Sequence, residues 1–347
     1  MKAMVVRAPG DADALRLEDV PVPALRANDV LIRTAACGVC FHDVVTRNGV
    51  MKRGVSMPLI PGHEVAGTVE AVGPAVRGFA VGDRVATVQR RHICGFCRFC
   101  RDGRETSCAE REFLGDAGLN GGYAEYVAVE DDNVAKVPDG VPIEHASIVA
   151  CAIGTELNAI RDVAKVQPGD RVLVSGAGGG LGIHGVQIAR LCGGHVIAVT
   201  TSDEKARVIA DAGAHEVIVV PRGEDFSRRV IAATGGDGVD VVIDNVGSVL
   251  FEPTRRSLAM GARWIFIGQL TGDFVSFNPA QIFMKDVTIR SAKSTSRRQL
   301  QDALDLVARG LVKPWITDVL PLARAADAHR IVEAGRSVGR VLLAPGR

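Results

Sequence analysis

The 347-residue sequence is poor in aromatic residues, in charge of one sign and in long apolar runs. Lys and Arg number 41 against 40 for Asp and Glu, so the composition gives no reason to expect nucleic acid as a partner. No run of about eighteen apolar residues occurs, and the first residues, MKAMVVR, lack the apolar core of a signal peptide. We therefore expect a cytoplasmic protein without a membrane span. With eleven Phe, two Trp and two Tyr, the aromatic residues do not indicate a substrate.

Eight cysteines are present, and six of them form two groups with the spacing of zinc ligands. In a reducing compartment, metal ligands or buried thiols are expected rather than disulfides. The first group lies within one loop and consists of Cys94, Cys97, Cys100 and Cys108. Four thiolates close a tetrahedral zinc shell, which is the pattern of a structural site. Cys37 and Cys192 lie outside both groups and are interpreted as core thiols.

The four-Cys loop has other interpretations. A Cys-x-x-Cys pair can be redox active, and four thiolates can also hold iron. Arginines around the loop are typical of a nucleic-acid-binding zinc module, although glutamates at 105, 110 and 112 dilute their charge. These arginines are Arg90, Arg91, Arg98, Arg101 and Arg104. We expect a solvated zinc lobe.

The second group is drawn from distant segments, namely Cys40, the adjacent pair His63 and Glu64, and Cys151. Two thiolates, an imidazole and a carboxylate are typical of a zinc site with an exchangeable position for water or substrate. Asp43 follows Cys40 by three residues and is a candidate to orient a ligand through a hydrogen bond. The alternatives are a packed histidine at position 63 and a solvated acid at position 43.

The sequence pattern changes near residue 146. Residues 2–145 contain short Val-rich segments separated by Gly, Pro and Asp, which favours an antiparallel, barrel-like β domain. Strands then alternate with helices, which predicts a parallel, doubly wound α/β sheet. An amphipathic helix over 298–309 and a strand beginning at Arg340 follow, and we expect this tail to return to the first domain.

A glycine-rich loop, Ser175 to Gly182, joins the first strand of the α/β domain to its first helix. Glycines let the backbone approach a pyrophosphate and place it at a helix N-terminus, although the strict Gly-x-Gly-x-x-Gly register is not met. The alternative is a merely flexible loop. The predicted coenzyme-binding residues are Gly176, Ala177, Gly178, Gly179, Gly180, Leu181 and Gly182.

The end of the next strand indicates which coenzyme is bound. In NAD enzymes an acid at this point usually holds the ribose 2′-hydroxyl. Thr200 stands at the expected position and leaves room for a 2′-phosphate, which Lys205 and Arg207 lie near enough to neutralise. Asp203 argues for NAD(H), but it also suits the role of a helix cap. NADP(H) is therefore predicted over NAD(H), with contacts from Thr200, Thr201, Ser202 and Lys205.

In combination, these motifs resemble those of zinc-containing medium-chain alcohol dehydrogenases. The similarity covers almost the whole chain and rests on Cys-Gly-Val-Cys-x-x-Asp at 37–43, Gly-His-Glu-x-x-Gly at 62–67, the four-Cys loop, Val-Gly-Asp-Arg-Val at 81–85, Cys151 and the glycine loop. It implies an α/β protein with an active site in the cleft between two domains, assembled as a homodimer or homotetramer. The domains are a GroES-like β-barrel catalytic domain (1–150 and 288–347, with a zinc lobe at about 90–112) and a Rossmann coenzyme domain (151–287).

Matching positions to the family implies roles for single residues. Cys40, His63 and Cys151 are implied to bind the catalytic zinc. Glu64 is the implied alternate ligand, and Asp43 the partner that orients the ligands. The resemblance also implies that Thr155 packs against the nicotinamide and that Arg340 approaches the pyrophosphate.

The chain departs from the family pattern after Cys40. Many members have Ser or Thr two residues later, whose hydroxyl passes the alcohol proton towards solvent, whereas this chain has His42. It also lacks a His at Val45, where some members complete the relay. An imidazole can carry a proton near neutral pH, so His42 is a candidate relay. The glycine loop is more similar to the quinone-oxidoreductase and enoyl-reductase branches of the superfamily, and the segment Cys-Phe-His-Asp resembles that of acryloyl-CoA reductase-like members.

We therefore predict a zinc-dependent oxidoreductase that transfers hydride between NAD(P)(H) and an alcohol, aldehyde or ketone, with zinc as a Lewis acid. The leading alternative is NADPH-dependent reduction of an activated C=C bond, as in an acryloyl-CoA-type enoyl thioester. A third interpretation is a non-catalytic protein that binds zinc and nucleotide. The second ligand set argues against it, because a structural role needs only the four-Cys loop.

Overall fold

The computed structural model describes residues 1–51, 54–116 and 120–346. The chain divides into two compact units. Unit 1 comprises Met1–Gly154, Ser294–Gly310 and Ile316–Arg347, and unit 2 comprises Thr155–Lys293 and Leu311–Trp315. Among the residues that the structure describes, no helix is long and apolar enough to span a membrane.

Seventeen strands are described: β1 (Lys2–Val6), β2 (Leu15–Asp19), β3 (Asp29–Val39), β4 (Val65–Val72), β5 (Arg84–Thr87), β6 (Arg90–His92), β7 (Glu112–Phe113), β8 (Tyr126–Glu130), β9 (Val134–Lys136), β10 (Arg171–Val174), β11 (His195–Thr200), β12 (Glu216–Val219), β13 (Val239–Asp244), β14 (Leu258–Phe266), β15 (Thr288–Ser291), β16 (Ile316–Pro321) and β17 (Arg340–Ala344).

The described α-helices are α1 (Phe41–Arg47), α2 (Arg98–Arg101), α3 (Ile143–Ser147), α4 (Thr155–Leu157), α5 (Gly182–Leu191), α6 (Asp203–Asp211), α7 (Ser227–Ala233), α8 (Phe251–Arg256), α9 (Ala280–Phe283), α10 (Arg297–Ala308) and α11 (Ala325–Glu333). Wider π-helical turns over Val149–Gly154 and Asn158–Ala164 flank α4.

Unit 1 is built on a seven-stranded sheet centred on the long strand β3. The order is β16-β17-β3-β4-β5-β9, and β8 also pairs with β3. Apart from the parallel pair β16–β17, these pairings are antiparallel. The core includes Val30 and Ile32 of β3, which are fully buried. The predicted antiparallel β domain is therefore present.

Unit 2 contains a six-stranded sheet in which every pairing is parallel. Its order, β12-β11-β10-β13-β14-β15, is the order 3-2-1-4-5-6 of a doubly wound dinucleotide fold. The central strand β10 buries Val172, Leu173 and Val174 completely. Full burial requires cover on both faces, which explains the continuous apolar run in the sequence.

The unit boundaries lie a few residues from the predicted ones. Residues Cys151 to Gly154 stay in unit 1, whereas β15 pairs with β14 and keeps 288–293 in unit 2. A short segment at 311–315 also belongs to unit 2. All four residues of β15 are exposed, so this strand lacks the buried apolar run by which its neighbours could be predicted.

Candidate active site and coenzyme loop

The four cysteines of the predicted structural site meet in a lobe formed by β6, β7 and α2. The distances between Sγ atoms are 3.6 Å for Cys97 to Cys100, 3.6 Å for Cys108 to Cys94 and 3.9 Å for Cys94 to Cys100. A tetrahedron with zinc–sulfur bonds of about 2.3 Å has sulfur–sulfur edges of about 3.8 Å. The thiols are thus spaced for zinc, and a backbone hydrogen bond from Cys100 lowers the pKa of Cys97 to about 7.

Two of the five arginines near this lobe are buried in ion pairs. Arg91 contacts Asp29 at 2.7 Å and Glu112 at 2.9 Å. Arg90 is fully buried, lies 3.7 Å from the Glu105 carboxylate and donates a hydrogen bond to the Thr295 carbonyl at 2.8 Å. Arg91 thus links the lobe to β3, and both buried charges are withdrawn from any surface for nucleic acid.

The second ligand set also converges. One donor atom from each of Cys40, His63, Glu64 and Cys151 lies within 4.8 Å of the others, and all four residues are buried. The His63 Nδ1 atom lies 3.1 Å from the Asp43 carboxylate. Nε2 lies 4.0 Å from Glu64 Oε1 and is the ring nitrogen within the donor cluster. Two sulfur donors, one ring nitrogen and one carboxylate fit zinc.

Strand register explains how distant residues meet at this point. Cys40 follows the end of β3 and caps α1, while His63 and Glu64 immediately precede β4. Antiparallel pairing of Cys37 with Val65 places these two strand ends side by side. On the other side of β3, β17 pairs Val341 with Val39 and so brings Arg340 to the same end.

Asp43 is a buried hydrogen-bond acceptor and not a solvated acid. Its side chain is 2% exposed and accepts from the Cys40 backbone N–H at 2.9 Å, besides facing His63. The Tyr123 hydroxyl donates at 3.1 Å to Oδ2, the same oxygen that accepts from Cys40, whereas His63 faces Oδ1. Partners of this kind fix the tautomer and the ring orientation of a metal-binding histidine.

Arg340 lies against the ligand cluster. Its Nη2 atom is 2.7 Å from Glu64 Oε1. The same atom lies 3.6 Å from the Cys40 sulfur and 3.5 Å from the Cys151 sulfur. Burial raises the pKa of Glu64 to about 7 even though Arg340 opposes the shift. Gly38 permits this packing, because a Cβ there would lie 2.1 Å from Glu64 Oε2. Contact between Arg340 and a pyrophosphate stays a prediction.

His42 lies beside the cluster, on the first turn of α1. Its ring is edge-on to that of His63 with centroids 5.2 Å apart, and it contacts the Phe113 ring at 5.1 Å. Its Nε2 atom is 3.2 Å from each oxygen of Asp116. Asp116 could not be predicted from the sequence, because a contact across 74 residues leaves no spacing signal.

Of the two remaining thiols, which the sequence analysis interpreted as core thiols, Cys37 lies in the core and Cys192 does not. Cys37 is completely buried, and burial raises the pKa of its thiol. Cys192 is half-buried at the end of α5. Neither belongs to a group of potential metal ligands among the described residues.

In unit 2, the glycine loop leads directly into α5. Gly176 has a φ of 61°, and a Cβ at Gly182 would lie 2.3 Å from the Gly176 carbonyl oxygen. Glycine adopts the first conformation without strain, and the close approach at Gly182 leaves no room for a side chain. Among the described residues, the backbone N–H groups of Gly180, Leu181 and Gly182 have no hydrogen-bond partner. Free N–H groups at the start of a helix fit a pyrophosphate.

The predicted coenzyme-selecting residues follow β11. Thr200 ends the strand, and Ser202 caps α6 by accepting from the Lys205 backbone N–H at 3.3 Å. The Lys205 side chain lies over Gly178, where burial lowers its pKa. Asp203 is exposed in the first turn of α6, one residue beyond the cap.

Thr201 is exposed, and Thr155 is buried at the start of α4. Their contacts with a coenzyme stay predictions.

Two family models match this chain, one in each half. The family model described as "Alcohol dehydrogenase GroES-like domain" matches residues 26–139, and the model described as "Zinc-binding dehydrogenase" matches residues 180–309. Together they cover more than half of the chain. The first match lies within unit 1, and the second covers most of unit 2 and continues into the unit 1 segment that begins at Ser294.

Two relatives match along their whole length. Acryloyl-coenzyme A reductase of Sulfurisphaera tokodaii is 35% identical over 346 residues, which are 99% of this chain and 100% of the relative. An alcohol dehydrogenase of Geobacillus stearothermophilus is 35% identical over 343 residues, 99% of each chain.

The solved structure of a protein named AibC is 43% identical and superposes with a TM-score of 0.91, covering 99% of this chain and 95% of that one. The predicted fold class is thereby confirmed. The chain belongs to the zinc-binding alcohol dehydrogenases of the medium-chain dehydrogenase/reductase superfamily and is an oxidoreductase with a GroES-like domain and a Rossmann domain.

Proposed function

We propose that this chain is a zinc-dependent dehydrogenase or reductase of alcohols and carbonyl compounds that prefers NADP(H). The observation that carries the proposal is a complete second set of metal donors, buried beside His42 and separate from the four-Cys lobe. A protein that used zinc only to stabilise its fold would need the lobe alone. Cys40, His63 and Cys151 would hold the catalytic ion, and Cys94, Cys97, Cys100 and Cys108 the structural one.

Zinc bound at the catalytic set supplies Lewis-acid polarisation of the substrate oxygen, and the nicotinamide supplies or takes the hydride. The surrounding residues prepare the site. Asp43 holds His63 so that Nε2 faces the other donors. Arg340 holds the Glu64 carboxylate next to them as an exchangeable fourth donor.

His42 is the residue best placed to receive a proton from the substrate hydroxyl. It contacts His63 on one side and Asp116 on the other, and its side chain is 30% exposed, so a proton can continue from it to solvent. The Thr46 hydroxyl lies 3.5 Å from Asp116 Oδ1 and helps to hold that carboxylate. The carboxylate in turn orients the His42 imidazole, since both of its oxygens lie 3.2 Å from Nε2.

Reduction of an activated C=C bond is the second candidate. It is favoured by the Sulfurisphaera tokodaii relative, which carries the name of an acryloyl-CoA reductase and matches the whole chain. The same ligand set and glycine loop serve either reaction, so the choice rests on which substrate is turned over.

Parallel assays distinguish these two functions. We expect NADPH oxidation with a panel of aldehydes and ketones, with the alcohol as product. Acryloyl-CoA and crotonyl-CoA form the matched panel, and product analysis shows whether C=O or C=C was reduced. Turnover of the thioesters alone would replace the first proposal by the second, and no turnover with either panel would contradict both.

The coenzyme preference is proposed from the end of β11. Thr200 replaces the acid that would hold the ribose 2′-hydroxyl, and the Lys205 side chain lies over the glycine loop. Thr200→Asp is expected to move kcat/KM towards NAD(H) by about tenfold or more, roughly 1.4 kcal/mol, because the new carboxylate repels a 2′-phosphate and accepts from a 2′-hydroxyl.

Kinetics with both coenzymes at one ionic strength measure this shift. Ala210→Asp is the control, since it adds the same charge at an exposed position later in α6. A wild-type enzyme that prefers NAD(H) by about tenfold would refute the proposed preference.

We also propose that two or four copies assemble. Strand β15 ends the unit 2 sheet and is exposed throughout, with one pairing partner among the described residues. The chain segment that precedes it also exposes apolar side chains, namely Phe274, Phe283 and Met284. A free strand edge with exposed apolar neighbours is suited to pairing with a second copy. Light scattering of the purified protein gives the mass that decides this.

A further inference from the structure

A chain of buried hydrogen bonds continues beyond the metal-binding histidine. His63 Nδ1 is 3.1 Å from Asp43, the Tyr123 hydroxyl is 3.1 Å from the other Asp43 oxygen, and His329 Nε2 is 3.1 Å from the same hydroxyl. None of these four residues is more than 2% exposed. The last two contacts join residues 80 and 206 positions apart in the sequence.

Only one placement of the hydrogen atoms satisfies all three of these hydrogen bonds. An ionised carboxylate only accepts, so both His63 Nδ1–H and the Tyr123 hydroxyl donate to Asp43. The Tyr123 oxygen is then the acceptor for His329 Nε2–H. His329 is neutral near pH 7, since burial lowers its pKa to about 4. A neutral imidazole with its hydrogen on Nε2 satisfies this pattern.

Arg47 favours the same placement of hydrogen atoms, because it acts on His329, the last residue of the series. It lies in the last turn of α1, is 1% exposed and is ion-paired with Glu333 of α11, the helix that carries His329. Its positive charge disfavours a second proton on His329. Among the described residues, Arg47 Nη1 and His329 Nδ1 have no hydrogen-bond partner, so the His329 ring has no other bond to orient it than the one to Tyr123.

We propose that Tyr123 and His329 are positioning residues of the catalytic metal site. They hold the Asp43 carboxylate in place, and Asp43 in turn keeps the His63 ring turned so that Nε2 faces Cys40 and Cys151. This inference rests on the proposed function, because it assigns the donor cluster to a metal ion. Loss of an outer partner of a metal ligand typically weakens metal binding by 10–100-fold.

Metal release measures this effect without an activity assay. Zinc-loaded protein is mixed with an excess of a chromogenic chelator, and the release of each of its two ions is followed. Tyr123→Phe and His329→Leu are expected to speed release from the catalytic site by about tenfold or more and to leave release from the four-Cys lobe unchanged. His329→Gln, whose side-chain amide can still donate, should release close to the wild-type rate.

Tyr126→Phe is the matched control, because Tyr126 is the only other tyrosine and lies half-buried at the start of β8. A Co²⁺-substituted form provides a second measurement, since its visible spectrum should shift in Tyr123→Phe and not in Tyr126→Phe. Wild-type release and an unchanged spectrum in Tyr123→Phe would overturn the inference alone. A wild-type protein that binds zinc only in the four-Cys lobe would overturn the proposed function as well.

Discussion

Replacing Cys151 with serine is expected to abolish most activity and to remove one zinc ion per chain while sparing the fold. Cys151 is buried in a helical turn, where serine is close in size. Lewis-acid polarisation contributes several kcal/mol of transition-state stabilisation, and about 4 kcal/mol corresponds to roughly 10³-fold in rate. Elemental analysis should give about two zinc ions for the wild type and about one for the variant.

Cys97→Ser, in contrast to Cys151→Ser, should affect mainly the stability of the fold. It opens the four-Cys shell, and the binding energy of a structural zinc is folding energy, so thermal stability should fall. Cys192→Ser changes a thiol outside both groups and is the control for both variants. Full activity in Cys151→Ser would refute the assignment of the catalytic site, and an unchanged melting temperature in Cys97→Ser would refute the structural one.

Removing the His42 imidazole is expected to slow alcohol oxidation by about 10²–10⁴-fold near neutral pH, the usual loss for a positioned acid–base group. The His42 side chain lies between His63 and Asp116, and the methyl group of alanine cannot accept a proton in its place. Added imidazole should partly rescue His42→Ala. His42→Ser should keep more activity than His42→Ala, because a hydroxyl stands again at this position.

Steady-state kinetics of these variants separate three outcomes. If the chain reduces C=C bonds instead, loss of His42 should raise KM and leave the pH profile unchanged. Asp116→Asn should reproduce a smaller part of the His42→Ala effect, since it removes only the orienting carboxylate. A kcat for His42→Ala equal to that of the wild type from about pH 6 to about pH 9 would exclude a relay through this residue.

The sequence alone determined those sites whose residues lie close together along the chain. The four-Cys loop spans residues 94–108, so its spacing alone indicates a metal shell, and the fold brings its sulfurs to 3.6–3.9 Å. The glycine loop was likewise readable, because it lies directly between a buried strand and the helix it opens. Residue type also predicted the dispersed donors Cys40, His63 and Cys151 as one metal site, and the family resemblance implied that they bind the catalytic zinc.

Tertiary structure decided what lies around those donors. Asp116, Tyr123 and His329 carry no motif, and the contact of Arg340 with Glu64 was not predicted from the sequence. The charges of Arg90 and Arg91 are visible in the sequence, but their burial in ion pairs is not. Contacts across 74 to more than 200 residues depend on the register of β3 with β4 and β17 and on the packing of α1 with α11. Register and packing arise from the combined burial of many side chains, so no single spacing in the sequence records them.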